Sequence, residues 1–546
     1  HWPMQQAMQD EDDLTINGIH LNDAGYRLAA EIMLARLGID SSGVDHVTPD
    51  RLDDLREKNR FVFERYRPTN TEYVYGRRFK PYGDDHFPRE MARLEAIAKE
   101  ADAAIHRGER VDGQAISATL GPAWRPEINR ATEAPIPPED RAVPPPQTQV
   151  NHFVLPEGWS IECFASEAQF PELANPIAMN FDGDGRLWVV VSPTYPHVEP
   201  GQSPEDKLIY LEDHNRDGRA DELTVFADGL YIPTGFATNG DEAWVVSQPN
   251  LLHIRDTDQD GVGDLREIVL HGFGPEDSHH VMSAFARPPD GSIYFQEGVF
   301  HHTQVESPFG PARSTDAAVY RFNPRQGEVE VVSSWPWANP WGHVVDDWGR
   351  SIITDGTSGT SRRLTHIAGP HPYPDVGKGG TDVHSVPSFT PANRRPAGGT
   401  EILGGTHLPE EVQGRFVLPQ NIGYHGLHWY ELQEVDSGFS ATSLEPDLLY
   451  STDPTSRPVD IEMGPDGAIY MLDWTNPIVG HMQFSVRDPR RDHDHGRIWR
   501  ITCDDRPLQA WDSVADQDHD VLLANLLEND PWRVRRSRLE LHRRPS

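Results

Sequence analysis

Two stretches of this sequence set oxygen ligands at alternate positions of a tight turn. Asp213-His214-Asn215-Arg216-Asp217-Gly218, closing at Asp221, and Asp256-Thr257-Asp258-Gln259-Asp260-Gly261, closing at Asp264, share the pattern D-x-[DN]-x-D-G-x-x-D. Alternating carboxylates gather several oxygens around one hard cation, and the glycine permits the sharp turn. Asp213, Asn215, Asp217, Asp221, Asp256, Asp258, Asp260 and Asp264 are therefore candidate calcium ligands. The flanking segments read as strands, which rejects an EF-hand with its two helices and closing Glu. The competing reading is a pair of solvated hairpin turns, where Asp-Gly is common. Calcium held there would be structural.

Histidine is the second signal, with 26 in the chain and most of the clusters after residue 270. Asp277-Ser278-His279-His280, His301-His302, Trp341-Gly342-His343, His425, Gly480-His481 and Arg490-Arg491-Asp492-His493-Asp494-His495-Gly496-Arg497 each border an expected strand. Histidine there can act as a general base, hold a metal or contribute to a polar cofactor site. No pair has the i, i+4 spacing of a helical zinc site. Each histidine taken singly also reads as a hydrogen-bonded turn residue. Trp341 and Trp474 lie beside these loops and suit a sugar-like ligand or ordinary core packing equally.

Something must position these loops. From about residue 151 the sequence becomes short β-rich runs broken by Gly, Asp, Asn and Pro. A unit recurs: an apolar strand, an Asp-Gly or Asn-Gly turn, and a second strand with an early aromatic. The copies run 178–189, 235–245, 283–295, 342–353 and 459–471, with a degenerate one at 414–424 continuing to Tyr430. The copy at 342–353 has Trp348-Gly349 in its turn. One hairpin cannot bury its own apolar face, so such repeats stack into a closed ring. The expected fold is mainly β: a six-bladed β-propeller with an α-helical N-terminal extension and a truncated C-terminal HEAT-like helical segment. The boundaries fall at 1–45, a helical extension over 46–120, a Pro-rich linker over 121–150, the propeller over 151–505 and the helical segment over 506–546. The stretch Leu28–Leu37 reads as one helix, 51–108 as two broken near Pro81-Tyr82-Gly83, and 521–541 as a helix, a Pro turn and a helix.

With 86 acidic against 49 basic residues, the net charge of −37 excludes a nucleic-acid binder acting through a basic surface. Only five of the basic residues are Lys, a balance that suits either high salt or a GC-rich genome. No apolar run approaches the ~20 residues that span a bilayer. Two cysteines, Cys163 and Cys503, exclude a disulfide-dense scaffold and leave open both a bond between them and two separate thiols. No C-x-x-C-H exists, so haem c is not attached to this chain. The sequence opens on His1 without a signal peptide, and a piece of a longer protein is expected.

Residues 151–503 resemble the membrane-bound dehydrogenase family of Planctomycetes and Verrucomicrobia, the PVC-type haem-binding proteins. The carrying residues are Asp277–His280, Phe295–Gly298 with His301–Glu306, Ala338–His343, Arg457–Asp460, Asp473-Trp474 with Asn476-Pro477, Gly480–Met482, Arg490–His493 and His495–Ile498. The resemblance implies a propeller similar to the soluble quinoprotein glucose and sorbosone dehydrogenases. It implies a periplasmic or extracellular module that oxidises a sugar or alcohol with pyrroloquinoline quinone. Electrons would pass to a cytochrome c module not present in this chain. On that reading His280, His343 and His481 are candidate bases, and Arg457, Arg490 and Arg497, with His493 and His495, hold the cofactor. Residues 10–37 resemble the tail of an SGNH/GDSL-type hydrolase, whose catalytic histidine maps to His20. The usual acid three residues earlier is Asn17, and the nucleophilic serine block is absent, so no complete triad is present. The rival readings are a non-catalytic carbohydrate-binding propeller attached to an SGNH esterase, and deacylation by that esterase alone.

Overall fold

A hairpin whose turn is fixed by local chemistry can form before its neighbours pack, and the repeats supply such turns. Asp182 accepts from Asp184 N and Arg186 N with one oxygen, and from Arg186 Nε (2.7 Å) and Trp188 Nε1 (2.8 Å) with the other. Asp346 repeats this brace with Trp348 N, Arg350 N and Arg350 Nε. The divergent copy thus keeps the same Asp–Gly–Arg mechanism under different letters.

The computed structural model describes residues 14–15, 20–40, 48–76, 78–126, 142–334, 339–346, 348–356, 360–364, 388–390, 398–435, 438–479 and 484–544. Its sheets follow one another around a ring. The first comprises Pro176–Phe181, Leu187–Val191, Asp206–Glu212 and Glu222–Leu230. The second comprises Phe236–Thr238, Glu242–Ser247, Asn250–Arg255 and Leu265–Leu270. The third comprises Ser283–Ala286, Ile293–Glu297, Ala318–Asn323 and Glu328–Ser334, with an outer hairpin, His302–Ser307 and Gly310–Thr315. The fourth has Pro340–Val345, Ser351–Asp355 and Thr360–Leu364. The fifth has six strands, including Glu401–Ile402, Phe416–Gln420, Gly426–Val435 and Leu449–Ser451. The sixth combines Pro458–Met463, Ile469–Asp473, Arg497–Cys503 and the early strand Trp159–Ser166.

The chain is a β-propeller, but five of these sheets reach four strands or more, which corrects the expected six complete blades. Between Leu364 and Glu401 the described residues supply no fourth strand to the fourth sheet. The degenerate repeat at 414–424 is also displaced: its hairpin, Phe416–Gln420 with Gly426–Val435, joins the second and third strands of its sheet rather than the first and second.

Second strands are buried along their whole length, as Leu187–Val191, Ile293–Glu297, Ser351–Asp355 and Ile469–Asp473 all are. They have a neighbouring sheet on each face, which explains why they are apolar runs rather than alternating ones. The first and last strands of the region pair to close the ring, with Ile161 opposite Ile501. Cys163 lies opposite Trp499, and Cys503 opposite Trp159. A four-residue offset on antiparallel strands separates the sulfurs by about 13 Å, and both thiols are free.

Before the propeller, the helix Pro49–Tyr66 starts on the Thr48 cap, and Asp84–Arg107 packs beside it. Their core of Phe61, Phe87, Leu94 and Ile97 also takes in Val486 of the propeller. The helix Asp23–Leu37 begins on an Asn22 side-chain cap and ends at Gly38, whose φ of 66° suits glycine. After the propeller come His519–Asn525 and Pro531–Arg543. The latter crosses the hairpin turns at one end of the channel: Trp532 Nε1 donates to Asp182 O (3.0 Å), His542 Nε2 to Pro289 O (2.7 Å) and Arg543 Nη1 to Asn239 O (3.0 Å).

Candidate active site at the propeller mouth

That helix makes one end of the channel a floor. At the other end first strands begin and second strands finish, so the segments after Val191, before Ser283, before Pro340, after Asp473 and at 484–492 converge on a mouth. Buried Asp277 organises it. One of its carboxylate oxygens accepts from His279 N (3.0 Å), and its carbonyl accepts from His280 N (2.9 Å) and from His301 Nε2 (3.0 Å). The other oxygen faces Arg78 Nη1 at 3.6 Å and His280 Nδ1 at 3.3 Å.

The two adjacent histidines therefore do different work. His280 is buried, with Nδ1 toward Asp277 and Nε2 bonded to Asn339 Oδ1. His279 is partly exposed, and its Nδ1 shares a hydrogen bond with the Tyr195 hydroxyl. The His279 ring stands edge-on to Trp341 (6.3 Å), and Tyr195 stands edge-on to Trp474 (5.9 Å). Burial pushes the Tyr195 phenol well above its usual range despite the opposing charge of Arg491, so it stays protonated. Burial likewise lowers Arg491, whose Nε donates to Ser485 O at 3.0 Å.

The helical extension contributes to this mouth. Asn70 N donates to Pro275 O (2.8 Å), and Asn70 Oδ1 accepts from Ser278 N (2.8 Å). Arg78 lies over the Phe300 ring at 4.2 Å. Tyr73, buried beside Asp277 and Arg78, has its phenol pushed far up, first by burial and then by that carboxylate. None of Tyr73, Arg78, Tyr195, His279 or Arg491 stood out singly in the sequence; the Ser-His-His motif and the Arg490–Arg497 run held His279 and Arg491, and nothing pointed to the other three.

The other expected residues are engaged in other contacts or lie elsewhere. His343 sits on a first strand inside the channel, stacked on Tyr294 (5.5 Å). Arg457 is at the mouth, but its guanidinium bonds Asn421 O (3.0 Å), Asn476 O (2.9 Å) and the His425 ring, tying the fifth sheet to the sixth. Arg490 is held by Asp488 (2.8 Å). Arg497 is fully buried on Glu167 (2.7 Å) and Gln149, on the side of the last blade. His493 Nδ1 bonds Pro193 O (2.6 Å), and His495 Nδ1 bonds Asp492 (2.8 Å) within its own turn. His20 pairs with Glu306 (2.8 Å) on the outer hairpin of the third sheet, with its ring against His271. His481 lies outside the described residues.

The two Asp-rich loops join third to fourth strands at the floor end, and their end residues brace the turns. Asp213 accepts from Asp217 N and Gly218 N, and Asp256 from Gln259 N and Gly261 N. Asp221 accepts from His214 N, and Asp264 from Thr257 N and Oγ1. In the second loop Asp256, Asp258 and Asp260 bring carboxylate oxygens within 4.8 Å of one another. The neighbouring Asp260 charge raises Asp258 above the usual carboxylate range. In the first loop the residues so gathered are Glu212, His214 and Glu222, with Asp213, Asp217 and Asp221 outside that group.

The channel holds a further acidic pair. Asp460 and Glu462 alternate on the first strand Pro458–Met463, so both face inward. Asp460 accepts from Met179 N (2.9 Å), and Glu462 from Asn180 Nδ2 (3.2 Å). Burial pushes Asp460 up to about 7, and burial with Glu401 pushes Glu462 far up. Two acids at i, i+2 in an otherwise apolar strand were the available signal. The channel cavities, about 80 and 50 Å³, have room for a few waters rather than a sugar.

A family model described as "Domain of unknown function (DUF7133)" matches residues 145–505. No curated protein matches the chain. Among solved structures it is similar to the holo pyranose dehydrogenase PQQ domain from Coprinopsis cinerea, at 14% identity over 64% of this chain and 97% of that one, with a TM-score of 0.42. It is similar to the apo soluble aldose sugar dehydrogenase from Escherichia coli, at 12% identity over 63% and 99%, with a TM-score of 0.39. It is also similar to the calcium structure of the Trichoderma reesei carbohydrate-active enzyme of family AA12, at 10% identity over 64% and 97%, with a TM-score of 0.42.

Proposed function

This chain belongs to the DUF7133 family, and we propose that its propeller mouth is the active site of a dehydrogenase that oxidises a sugar or alcohol hydroxyl. The observation that carries the reading is the His279–Tyr195 pair set between the indoles of Trp341 and Trp474. With its Nδ1 proton donated to the Tyr195 oxygen, His279 has Nε2 as the atom that takes the hydroxyl proton. The aromatic edges form walls against which a sugar ring or a flat cofactor packs. Pyrroloquinoline quinone is the proposed cofactor: it carries carboxylates, and the partly or fully buried cations at this mouth, Arg78 and Arg491, match that charge. When bound, the quinone supplies the two-electron sink for the hydride leaving the carbinol carbon. Following the resemblance of residues 151–503, the proposed setting is periplasmic or extracellular, with a c-type cytochrome as acceptor. Among the described residues, no helix is long and apolar enough to cross a membrane.

Titration with pyrroloquinoline quinone in calcium buffer is expected to quench tryptophan fluorescence saturably. The loaded protein is then expected to reduce an artificial dye in the presence of a sugar or alcohol. Failure to bind the quinone overturns the reading. The aromatic walls also fit a non-catalytic carbohydrate-binding propeller, which glycan binding without turnover would favour.

We place calcium in the second Asp-rich loop, on Asp256, Asp258 and Asp260. Those like charges destabilise each other until a cation joins them. Chelator-treated protein is expected to melt at a higher temperature once calcium is restored, with about 2.7 kcal/mol gained at a hundredfold excess over Kd. The double variant Asp258→Asn/Asp260→Asn is expected to lose that response. Superimposable melting curves of wild-type protein with and without calcium would refute the site.

A further inference from the structure

Charge is unevenly matched at the floor of the channel. The larger channel cavity, about 80 Å³, is lined there by Arg287, Arg535, Arg536, Glu401, Glu462 and Trp532. Arg535 is satisfied, its two terminal nitrogens donating to the two oxygens of Glu401 at 2.7 and 2.8 Å. Arg287 is not. Its Nη2 reaches Gly291 O at 3.2 Å, while Nε and Nη1 are buried and have no hydrogen-bond partner among the described residues. Arg536 makes a long bond of 3.5 Å to Thr238 O. Burial first, and then the charge of Arg536, pushes Arg287 down to about 10, so the two guanidiniums repel.

The nearby acids are already engaged. Glu242 holds His253 (2.8 Å) and Asn239 (3.1 Å), Asp290 holds Arg321 (2.7 Å), and Asp182 holds Arg186 (2.7 Å). Glu540, the other acid that Arg536 senses, lies 3.9 Å from Arg543. Glu462 lines the same cavity, but burial with Glu401 and Asp460 favours its neutral form. Three cations therefore face at most two carboxylates around this cavity. A buried unpaired charge costs several kcal/mol unless a counter-ion joins it.

We propose that this floor is a binding site for a small inorganic monoanion, of chloride or bromide size, held by Arg287 and Arg536 beneath the helix Pro531–Arg543. With Glu401 already paired to Arg535, the positive charge left on Arg287 and Arg536 is what draws an anion. A dianionic oxyanion would face Glu401 and Glu462 in the same cavity. Arg287 follows the first strand of the third sheet and Arg536 lies on the closing helix, so the anion ties that helix to the ring.

Crystals of the wild-type chain soaked in sodium bromide are expected to show an anomalous bromide peak at Arg287 Nε and Nη1. Melting temperature is expected to rise saturably, by about 2 °C, when chloride replaces gluconate at fixed ionic strength, with sulfate giving no such rise. Arg287→Met is expected to abolish the chloride response. A floor without bromide, coincident chloride and gluconate curves, or a response to sulfate equal to that of chloride would each overturn the proposal. The bromide measurement needs no variant to fold.

Discussion

Replacing His279 with glutamine is expected to lower turnover of any hydroxyl substrate by about 10²–10⁴-fold, the range for loss of a positioned general base, with little change in KM. Glutamine keeps a side chain able to hydrogen-bond the Tyr195 oxygen, so the wall formed with Trp341 stays in place. What it lacks is a nitrogen that accepts a proton. The rise of kcat/KM with pH that a histidine base imposes is therefore expected to flatten in the variant. His280→Gln supplies the contrast. His280 bridges Asp277 and Asn339 from a buried position, so its loss is expected to loosen the loop and lower stability while the pH profile keeps its shape. Steady-state kinetics of the quinone-loaded protein across pH separates the two. If His280→Gln removes the pH dependence and His279→Gln leaves it intact, the assignment of the base is reversed.

That contrast also shows where sequence reading succeeds. The hairpins at 178–189 and 342–353 are legible because Asp182 and Asp346 fix their turns with groups two to four residues away. The Asp-rich loops are legible as a pattern, but their chemistry is divided. Asp213, Asp221, Asp256 and Asp264 brace backbone N–H groups, a use that the same letters serve without any metal. The mouth is not legible residue by residue, because Tyr73, Tyr195, His279 and Arg491 come from separate segments and meet only once the ring closes. Arg497 illustrates the converse. It sits in a run of Arg and His suited to an anion, yet its partner Glu167 lies 330 positions away, just after the closing strand. The sixth repeat misled because a Gly-bounded hairpin between second and third strands reads like one between first and second.

Glu90→Gln is expected to destabilise the union of helical extension and propeller by about 3–5 kcal/mol, the cost of leaving a buried charge without its partner. Glu90, on the helix Asp84–Arg107, accepts from Arg487 Nε at 2.6 Å and bonds His197 Nε2 at 3.0 Å. Arg487 also donates to His197 O (2.6 Å) and Val198 O (2.9 Å), so it cannot swing out to water without breaking the loop that carries Tyr195. Burial favours the neutral acid, but Arg487 and His197 outweigh it and hold the Glu90 carboxyl well below its usual range. A depressed carboxylate contributes its full stability above the unfolded value of about 4.3 and loses it as pH falls further. Burial also lowers His197, so acid below about 6.5 begins to favour the unfolded chain before Glu90 contributes. Denaturant unfolding at pH 7 and pH 4 is expected to show an acid loss in the wild type that Glu90→Gln does not remove, because His197, deprived of the carboxylate that raises it, is then pushed further down. The double variant Glu90→Gln/Arg487→Met, which removes both charges, is expected to recover part of the stability at pH 7. Equal stability of wild type and Glu90→Gln at pH 7 would show that the ion pair does not hold the helical unit over the mouth.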